Sequence, residues 1–460
     1  MALTDSQSAD RARPSLADLV ARLKAWRTHG DHDSVAQRMA GTAFLIRVVS
    51  AGILFVSQIA FARWMGSFEF GIYVYVWTWV VLLGGLAPLG IGYLAQRFIP
   101  EYVAKGDDET LRGYLIGSRW LCFGMGSAMA LLGAGVVLAL GDRIPHYYIV
   151  PFLVGLACLP MFAVGSAQDS IARSYNWIGI ALVPAFLGQP LLVLAGMAVV
   201  LFAGLPASAN AAIIVVVVVE WAAVLFQREL LQRRLARCVA PGPRRYEIGR
   251  WIRTALPVFL VEGFYLLLTH TGILVLQLYV TPDRVAVYYA AVKTMALVAF
   301  IYYAVSAACA HRFSEYHLSG DRERLAAFAG QATRWTFWPS LAITAALVVL
   351  GKPILMLFGP DFPAGYPLVC VLAIGLLARA SVGPVERLLI MLGEQRLCAA
   401  VYAASFLLNL TLCFVLIPRL GLMGAAVSTA TALTVESVLL FWVAKARLGF
   451  HVFVWQPKAR

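Results

Sequence analysis

Twelve apolar runs follow one another along this chain, and each is long enough to cross the roughly 30 Å core of a bilayer as a helix of about 20 residues. They lie near residues 39–62, 70–95, 112–140, 147–168, 176–203, 208–230, 252–279, 285–310, 333–358, 366–392, 396–418 and 422–445. Short polar connections separate them, the tightest at Gly204, Pro206 and Asn210 between runs five and six. The pattern predicts an all-α polytopic membrane protein of about twelve transmembrane helices. Ahead of the first run, residues 1–38 are polar and carry both charge signs, so they form a tail without the shape of a signal peptide. Within that tail Leu16, Leu19, Val20 and Leu23 recur at helical spacing beside Arg22, Lys24 and Arg27. Such a short basic amphipathic helix suits an anionic membrane surface, or equally a solvated tail.

Composition narrows the class further. Of 460 residues 61% are hydrophobic and 13% charged, with a mean hydropathy of +0.79. A soluble domain is closer to half apolar and a quarter charged, so an ordinary soluble enzyme is excluded. Seven cysteines, with no CxxC pair and mostly inside apolar runs, read as small buried hydrophobes rather than disulfides or metal ligands. The net charge of +13 arises from basic residues scattered between apolar runs, which argues against nucleic acid as a partner. Their placement sets orientation instead. With a cytoplasmic N-terminus, 28 of the 37 Lys and Arg fall on the cytoplasmic side, five on the opposite side and four inside spans. That bias predicts both termini in the cytoplasm.

The most basic connection, Arg228 to Arg253, divides the chain into six runs and six. Expected domains are the tail 1–38, a six-helix lobe 39–230, a basic linker 231–251, a second lobe 252–445 and a tail 446–460. An internal repeat supports this division. Phe70-Gly71-Ile72-Tyr73 is answered by Val285-Ala286-Val287-Tyr288, and Arg97-Phe98 with Glu101-Tyr102, Gly106-Asp107 and Leu111 by Arg312-Phe313 with Glu315-Tyr316, Gly320-Asp321 and Leu325. Six helices per repeat is an even number, so the lobes are parallel repeats about an axis along the membrane normal. Transporters built this way hold their substrate between the halves near the midplane.

No Walker loop, HExxH or GxSxG is present, and no cofactor site is suggested. Asp107-Asp108 reads as a helix-starting turn rather than an acidic metal motif. Ionisable residues inside spans are more informative, because each costs at least a few kcal/mol at the bilayer centre unless it faces protein or water. Arg47, Lys293 and Arg379 lie deep in spans one, eight and ten; facing one cavity, they would form a cationic series suited to a phosphate-bearing head group. Glu262 and His270, eight residues apart on one face of span seven, could relay a proton or neutralise Lys293. Glu386 and Arg387, together with Glu220 and Glu436, read as structural charges. The competing reading makes all these charges register-fixing pairs. Tyr73, Tyr75, Trp77 and Trp79 read as an interfacial aromatic belt, or else as a platform for a sugar.

Ala62-Arg63-Trp64-Met65-Gly66 through Tyr73, the Arg97 to Asp107 loop, Asn409, and Leu416-Ile417-Pro418-Arg419-Leu420-Gly421-Leu422-Met423-Gly424-Ala425-Ala426 followed by Ser428-Thr429-Ala430 resemble the polysaccharide-transport flippases of the multidrug/oligosaccharidyl-lipid/polysaccharide exporter superfamily. The resemblance spans about residues 39–447. It implies two six-helix lobes around a cleft lined by helices 1, 2, 7 and 8. It also implies a bacterial inner-membrane flippase for an undecaprenyl-diphosphate-type lipid-linked oligosaccharide in surface-polysaccharide assembly, with membrane lipids around it. A polysaccharide polymerase or glycosyltransferases of the same pathway would be its partners. A cation-coupled drug antiporter of the same superfamily is the nearest alternative, although span one carries Arg47 where that reading favours an acid. A membrane glycosyltransferase or polymerase fits less well, because every outer connection is short.

Overall fold

The computed structural model describes residues 32–319 and 321–455, so the amphipathic stretch around Leu16 to Leu23 lies outside the described residues. The first helix, α1 (His32–Leu86), contains a 42-residue apolar stretch from Leu45. At 1.5 Å per residue that stretch would measure about 63 Å, twice a bilayer core. Gly66 resolves the conflict: its φ of 76° and ψ of 168° break the helix, a conformation open only to glycine without strain. Two spans result, 45–65 and 67–86. A 3₁₀ turn and the surface helix α2 (Ala95–Lys105) follow. Crossings three to six are α3 (Asp108–Ala139), the pair α4 (His146–Leu156) and α5 (Leu159–Ser174), the pair α6 (Ile178–Leu182) and α7 (Gln189–Phe202), and α8 (Ala209–Cys238). A π-helical turn at Val183–Gly188 joins α6 to α7, where Pro184 and Pro190 remove two backbone donors.

The second lobe repeats this plan. It comprises α9 (Ile248–Leu276), α10 (Pro282–Ala296) running into α11 (Ala299–Leu318), and α12 (Arg322–Val349) bent by 65° into α13 (Gly351–Phe358). Then come α14 (Tyr366–Val382), the short α15 (Val385–Met391), α16 (Gln395–Leu420) and α17 (Leu422–Leu448). Among the described residues ten helical segments are long and apolar enough to span; the bent pair adds one and the break at Gly66 another, giving twelve. The protein is thus an all-α polytopic membrane protein of two parallel six-helix lobes. The repeated Gly-Asp marks the same device in each: Asp107 accepts the Thr110 N–H and Asp321 the Arg324 N–H, both at 3.0 Å, capping α3 and α12.

One face of the bundle, called here the basic face, carries α2, the 239–247 linker and the end of α17; the other is the distal face. At the distal face the lobes meet in a shared aromatic core. Phe70 packs at 6.0 Å from Tyr289 and 6.3 Å from Phe362, and Phe55 at 5.6 Å from Phe358. Gly71 lies so close to the Pro282 carbonyl that a Cβ would collide with it. Arg63 donates from Nε to the Leu357 carbonyl and from Nη2 to that of Met356, both at 2.7 Å, satisfying carbonyls at the end of α13. At the basic face the cross-lobe contact runs through the start of α9. Trp251 is buried in the first lobe, its Nε1 donating to Tyr102 Oη at 3.0 Å, and Arg250 reaches Glu101 at 2.5 Å.

Two expectations are corrected here. Tyr73 and Tyr75 are 3% and 9% exposed and pack on Phe61, Tyr148 and Phe152, with Trp77 and Trp79 against the same core. They are inter-helix packing, not an interfacial belt, because Phe61 of the preceding span and Tyr148 and Phe152 of α4 cover them. Span ten ends at Val382, where Gly383 (φ 61°) and Pro384 break the helix, rather than continuing to 392.

Candidate functional site

The facing inner surfaces of the lobes, on the basic side of the aromatic seam, carry the charges. Arg47 projects from α1 with its guanidinium 5.3 Å from the Phe186 ring on the π-turn. Around it lie Asp169 and Arg173 from α5, Tyr303 from α11 and Arg387 from α15, so both lobes contribute. Arg173 and Asp169 form a loose i,i+4 pair at 3.8 Å, and Gln227 of α8 donates to Asp169 at 2.7 Å. Arg47 itself has no carboxylate within ion-pair distance among the described residues.

Arg379 is placed differently. It stands three residues from the end of α14 and lines a cavity of about 190 Å³ inside the second lobe, with Tyr265, Thr269, Tyr302, Tyr303 and Thr429. Its Nη1 lies 3.1 Å from Glu436 Oε1 of α17 and its Nη2 3.4 Å from Glu386 Oε2 of α15. The rings of Tyr302 and Tyr265 lie 5.1 and 5.7 Å from its guanidinium. Tyr302 also donates to Glu386 at 3.0 Å. The contact with Glu436 is an ion pair rather than an aligned hydrogen bond, for neither oxygen of that fully buried carboxylate has a donor directed at it. Two carboxylates around one guanidinium leave the cluster with one negative charge when all three groups are ionised.

Lys293, in α10, has neither arrangement. Its Nζ lies 5.0 Å above the Tyr289 ring, and no acid is paired with it among the described residues. His270 of α9 is close enough to feel the Lys293 charge, with its Nδ1 buried and without a hydrogen-bond partner. Glu262, mid-helix in α9, faces Tyr93, Glu386 and Arg387 rather than Lys293. The structure therefore distributes the five predicted residues over three places. Arg47 and Glu262 belong to the surfaces facing between the lobes, Arg379 to the interior of the second lobe, and Lys293 with His270 to the helix pair beneath the seam.

Sequence reasoning missed Asp169 and Arg173, because the fourth apolar run stops at 168 while α5 continues to Ser174. The signal was present: an Asp and an Arg four apart on a helix that has not yet ended. Glu220, read as structural, accepts a hydrogen bond from Gln189 across the α7–α8 contact. Asn409 of α16 donates to the Leu268 carbonyl of α9 at 3.2 Å, holding two spans together inside the lobe. Among the described residues no group of three His, Cys, Asp or Glu is arranged to hold a metal ion.

Two parallel six-helix lobes, closed against each other at one face and charged between them toward the other, define a two-lobe, all-α membrane fold. Solved structures of the same fold narrow the class. The chain superposes on an inward-facing multidrug resistance MATE family transporter of the MOP superfamily with a TM-score of 0.71, at 14% identity over 88% of this chain and 98% of that one. It matches the lipid II flippase MurJ in an inward closed conformation with a TM-score of 0.69, at 15% identity over 88% of this chain and 87% of that one. A MOP superfamily transporter from Pyrococcus furiosus, described as having a binding pocket of reverse polarity, matches at 0.66 and 14% identity, over 91% and 96% of the two chains. No family model and no curated protein matches the sequence. At these identities the shared property is the fold, that of MOP-superfamily transporters and flippases.

Proposed function

We propose that the protein is a flippase for a lipid-linked oligosaccharide with an undecaprenyl-diphosphate-type anchor, moving it from the inner to the outer leaflet of the bacterial inner membrane for surface-polysaccharide biosynthesis. The observation that carries this reading is the convergence of Arg47, Arg173 and Arg387 from both lobes, against Asp169 and Glu262, on the basic side of a closed seam. Glu386, which also faces Glu262, is engaged by Arg379 and Tyr302, so the remaining groups balance to one positive charge when ionised, and a cationic cleft lowers the cost of bringing a diphosphate into a low-dielectric layer. Arg47 is the residue we assign to the diphosphate, since its guanidinium fork is not taken up by any carboxylate. In this reading the basic face and both termini are cytoplasmic, and glycosyltransferases and a polymerase of the same pathway supply and consume the cargo.

A cation-coupled drug antiporter is less well served. The acids of the second lobe already hold Arg379 between them, and the first span contributes a cation. The test is transbilayer movement of a short-chain prenyl-diphosphate disaccharide in proteoliposomes. Arg47→Gln is expected to slow it at least tenfold, and Arg47→Lys to fall between, because the charge survives without the bidentate fork. Unchanged rates for a well-folded Arg47→Gln variant would remove Arg47 from the mechanism; transport of an organic cation but not of the disaccharide lipid would favour the antiporter.

A further inference from the structure

On the outer flank of the first lobe, away from the cleft, α3, α5 and α8 enclose a groove of about 400 Å³. Its deeper part is apolar: Phe123, Met161, Val164 and Trp221 form a small hydrophobic cluster with Val224. Trp120 stands at its edge, 65% exposed and edge-on to Phe123 at 5.9 Å. Toward the basic face the groove is lined by Arg119 and Arg228.

These arginines mark the limits of the apolar stretches of their helices. Arg119 is the last charged residue of α3, and Arg228 comes two residues after Phe226, where the apolar stretch of α8 ends. Helical side chains lean toward their own N-terminus. Helix α3 starts at the basic face and α8 at the distal face, and both arginines line the same groove. Arg119 shows the lean directly, its Nε donating to the Leu115 carbonyl at 2.8 Å. The two charges are near enough to act on each other, and neither forms an ion pair among the described residues. The acid next along α8, Glu229, is bound to Arg233 at 2.6 Å.

A second observation also calls for a ligand. Gln168 of α5 lines the groove, is 0% exposed, and has no hydrogen-bond partner for either Oε1 or Nε2. A buried amide left without partners is costly, so an occupant that both donates and accepts is favoured there.

We propose that Arg119, Arg228, Gln168 and Trp120 form a binding site for one anionic phospholipid of the leaflet at the basic face. The phosphodiester accepts from the paired guanidinium groups, head-group hydroxyls engage the Gln168 amide, and an acyl chain occupies the apolar channel past Phe123 and Trp221. Charge complementarity selects the lipid. A zwitterionic head group would bring its own ammonium against two arginines, whereas phosphatidylglycerol brings none.

The test uses the purified full-length protein, stripped of lipid in detergent and given phosphatidylglycerol or phosphatidylcholine of matched chains, with bound lipid counted by native mass spectrometry. The unaltered protein should retain phosphatidylglycerol about tenfold over phosphatidylcholine. Arg119→Gln/Arg228→Gln should remove that preference. Arg237→Gln/Arg244→Gln, which removes equal charge from exposed positions, should keep it. Equal retention of the two lipids by the unaltered protein, an unchanged preference in the groove variant, or an equal loss in the control variant would each overturn the proposal. A readout independent of the arginine variants is quenching of tryptophan emission by lipids brominated in the acyl chain. Brominated phosphatidylglycerol should quench more than brominated phosphatidylcholine, and the excess should vanish in Trp120→Phe/Trp221→Phe; equal quenching by both lipids refutes the site.

Discussion

Arg47 and Arg379 are both arginines inside the apolar part of this protein, one in each lobe, and they are held in opposite ways. Arg379 is saturated: two carboxylates from α15 and α17 and two tyrosine rings surround it. Arg47 has one phenylalanine face and a more distant Asp169 that is already shared with Arg173 and Gln227. Lys293 extends the series, with a ring below it and no acid beside it. A buried cation is tolerable when its partners are internal, and otherwise only when water or a ligand supplies them. The second lobe has closed its arginine into its own structure, whereas the first has left its arginine available. A guanidinium with spare valence faces between the lobes, and the locked one fixes α14, α15 and α17 to each other.

Stability measurements can break that contrast, and the largest effect falls at Arg379. Arg379→Gln strands the fully buried Glu436 and should destabilise the protein by about 3–5 kcal/mol in thermal unfolding in detergent. Arg379→Gln/Glu436→Gln should recover more than half of the loss. A small loss in the single variant would mean that the pair is not internally satisfied. Lys293→Met should act in the other direction. Removing a desolvated ammonium that has no acid beside it should raise stability by about 1–2 kcal/mol, and a fall in melting temperature would reveal a counter-charge. Arg47→Gln should shift stability by less than about 1 kcal/mol, since the ring contact is its main internal interaction, while transport falls as described above. The smallest effect concerns Glu101 on α2. Its hydrogen bonds to Lys105 and Arg250 hold its carboxyl below the usual glutamate range. A carboxyl with a depressed folded-state pKa stabilises above its unfolded value near 4.5 and loses that contribution as pH falls through the folded value. Amide protection over residues 95–105, corrected for intrinsic exchange, should therefore hold from pH 7 to about 5 and decline below 4. High salt should weaken it at neutral pH as well.

Much of the fold is legible in the sequence because apolar runs and the asymmetry of basic residues are properties of composition along the chain. The six-plus-six division rests on a repeat whose Gly-Asp turns have a local cause, the capping of α3 and α12. The site was legible only in part. Arg47, Lys293, Arg379, Glu262 and His270 could be picked out as ionisable residues in apolar segments, but which of them share a cavity depends on which faces the helices present, and run lengths do not encode that. Arg379 reads as deep in span ten because the apolar run continues through Gly383 and Pro384, where the backbone turns. The aromatic positions from Tyr73 to Trp79 resemble a belt because rings that pack one helix on another have the same composition as rings that sit at a head-group boundary.

The aromatic seam at the distal face sets a threshold on motion. Phe55, Phe70, Tyr289, Phe358 and Phe362 form contacts across the two lobes, and Gly71 sits against the Pro282 carbonyl with no space for a side chain. Exposing even half of a ring that buries about 150–250 Å² costs on the order of 2–3 kcal/mol, so parting the seam unaided is a rare event. In the proposed cycle, cargo must bind the parted form more tightly than the closed one by a comparable amount, since a ligand shifts an equilibrium only by its differential affinity. An empty carrier would then idle with its distal gate shut, and turnover would follow how well each glycan offsets the exposed rings, making the seam a timer for export as well as a barrier to leakage.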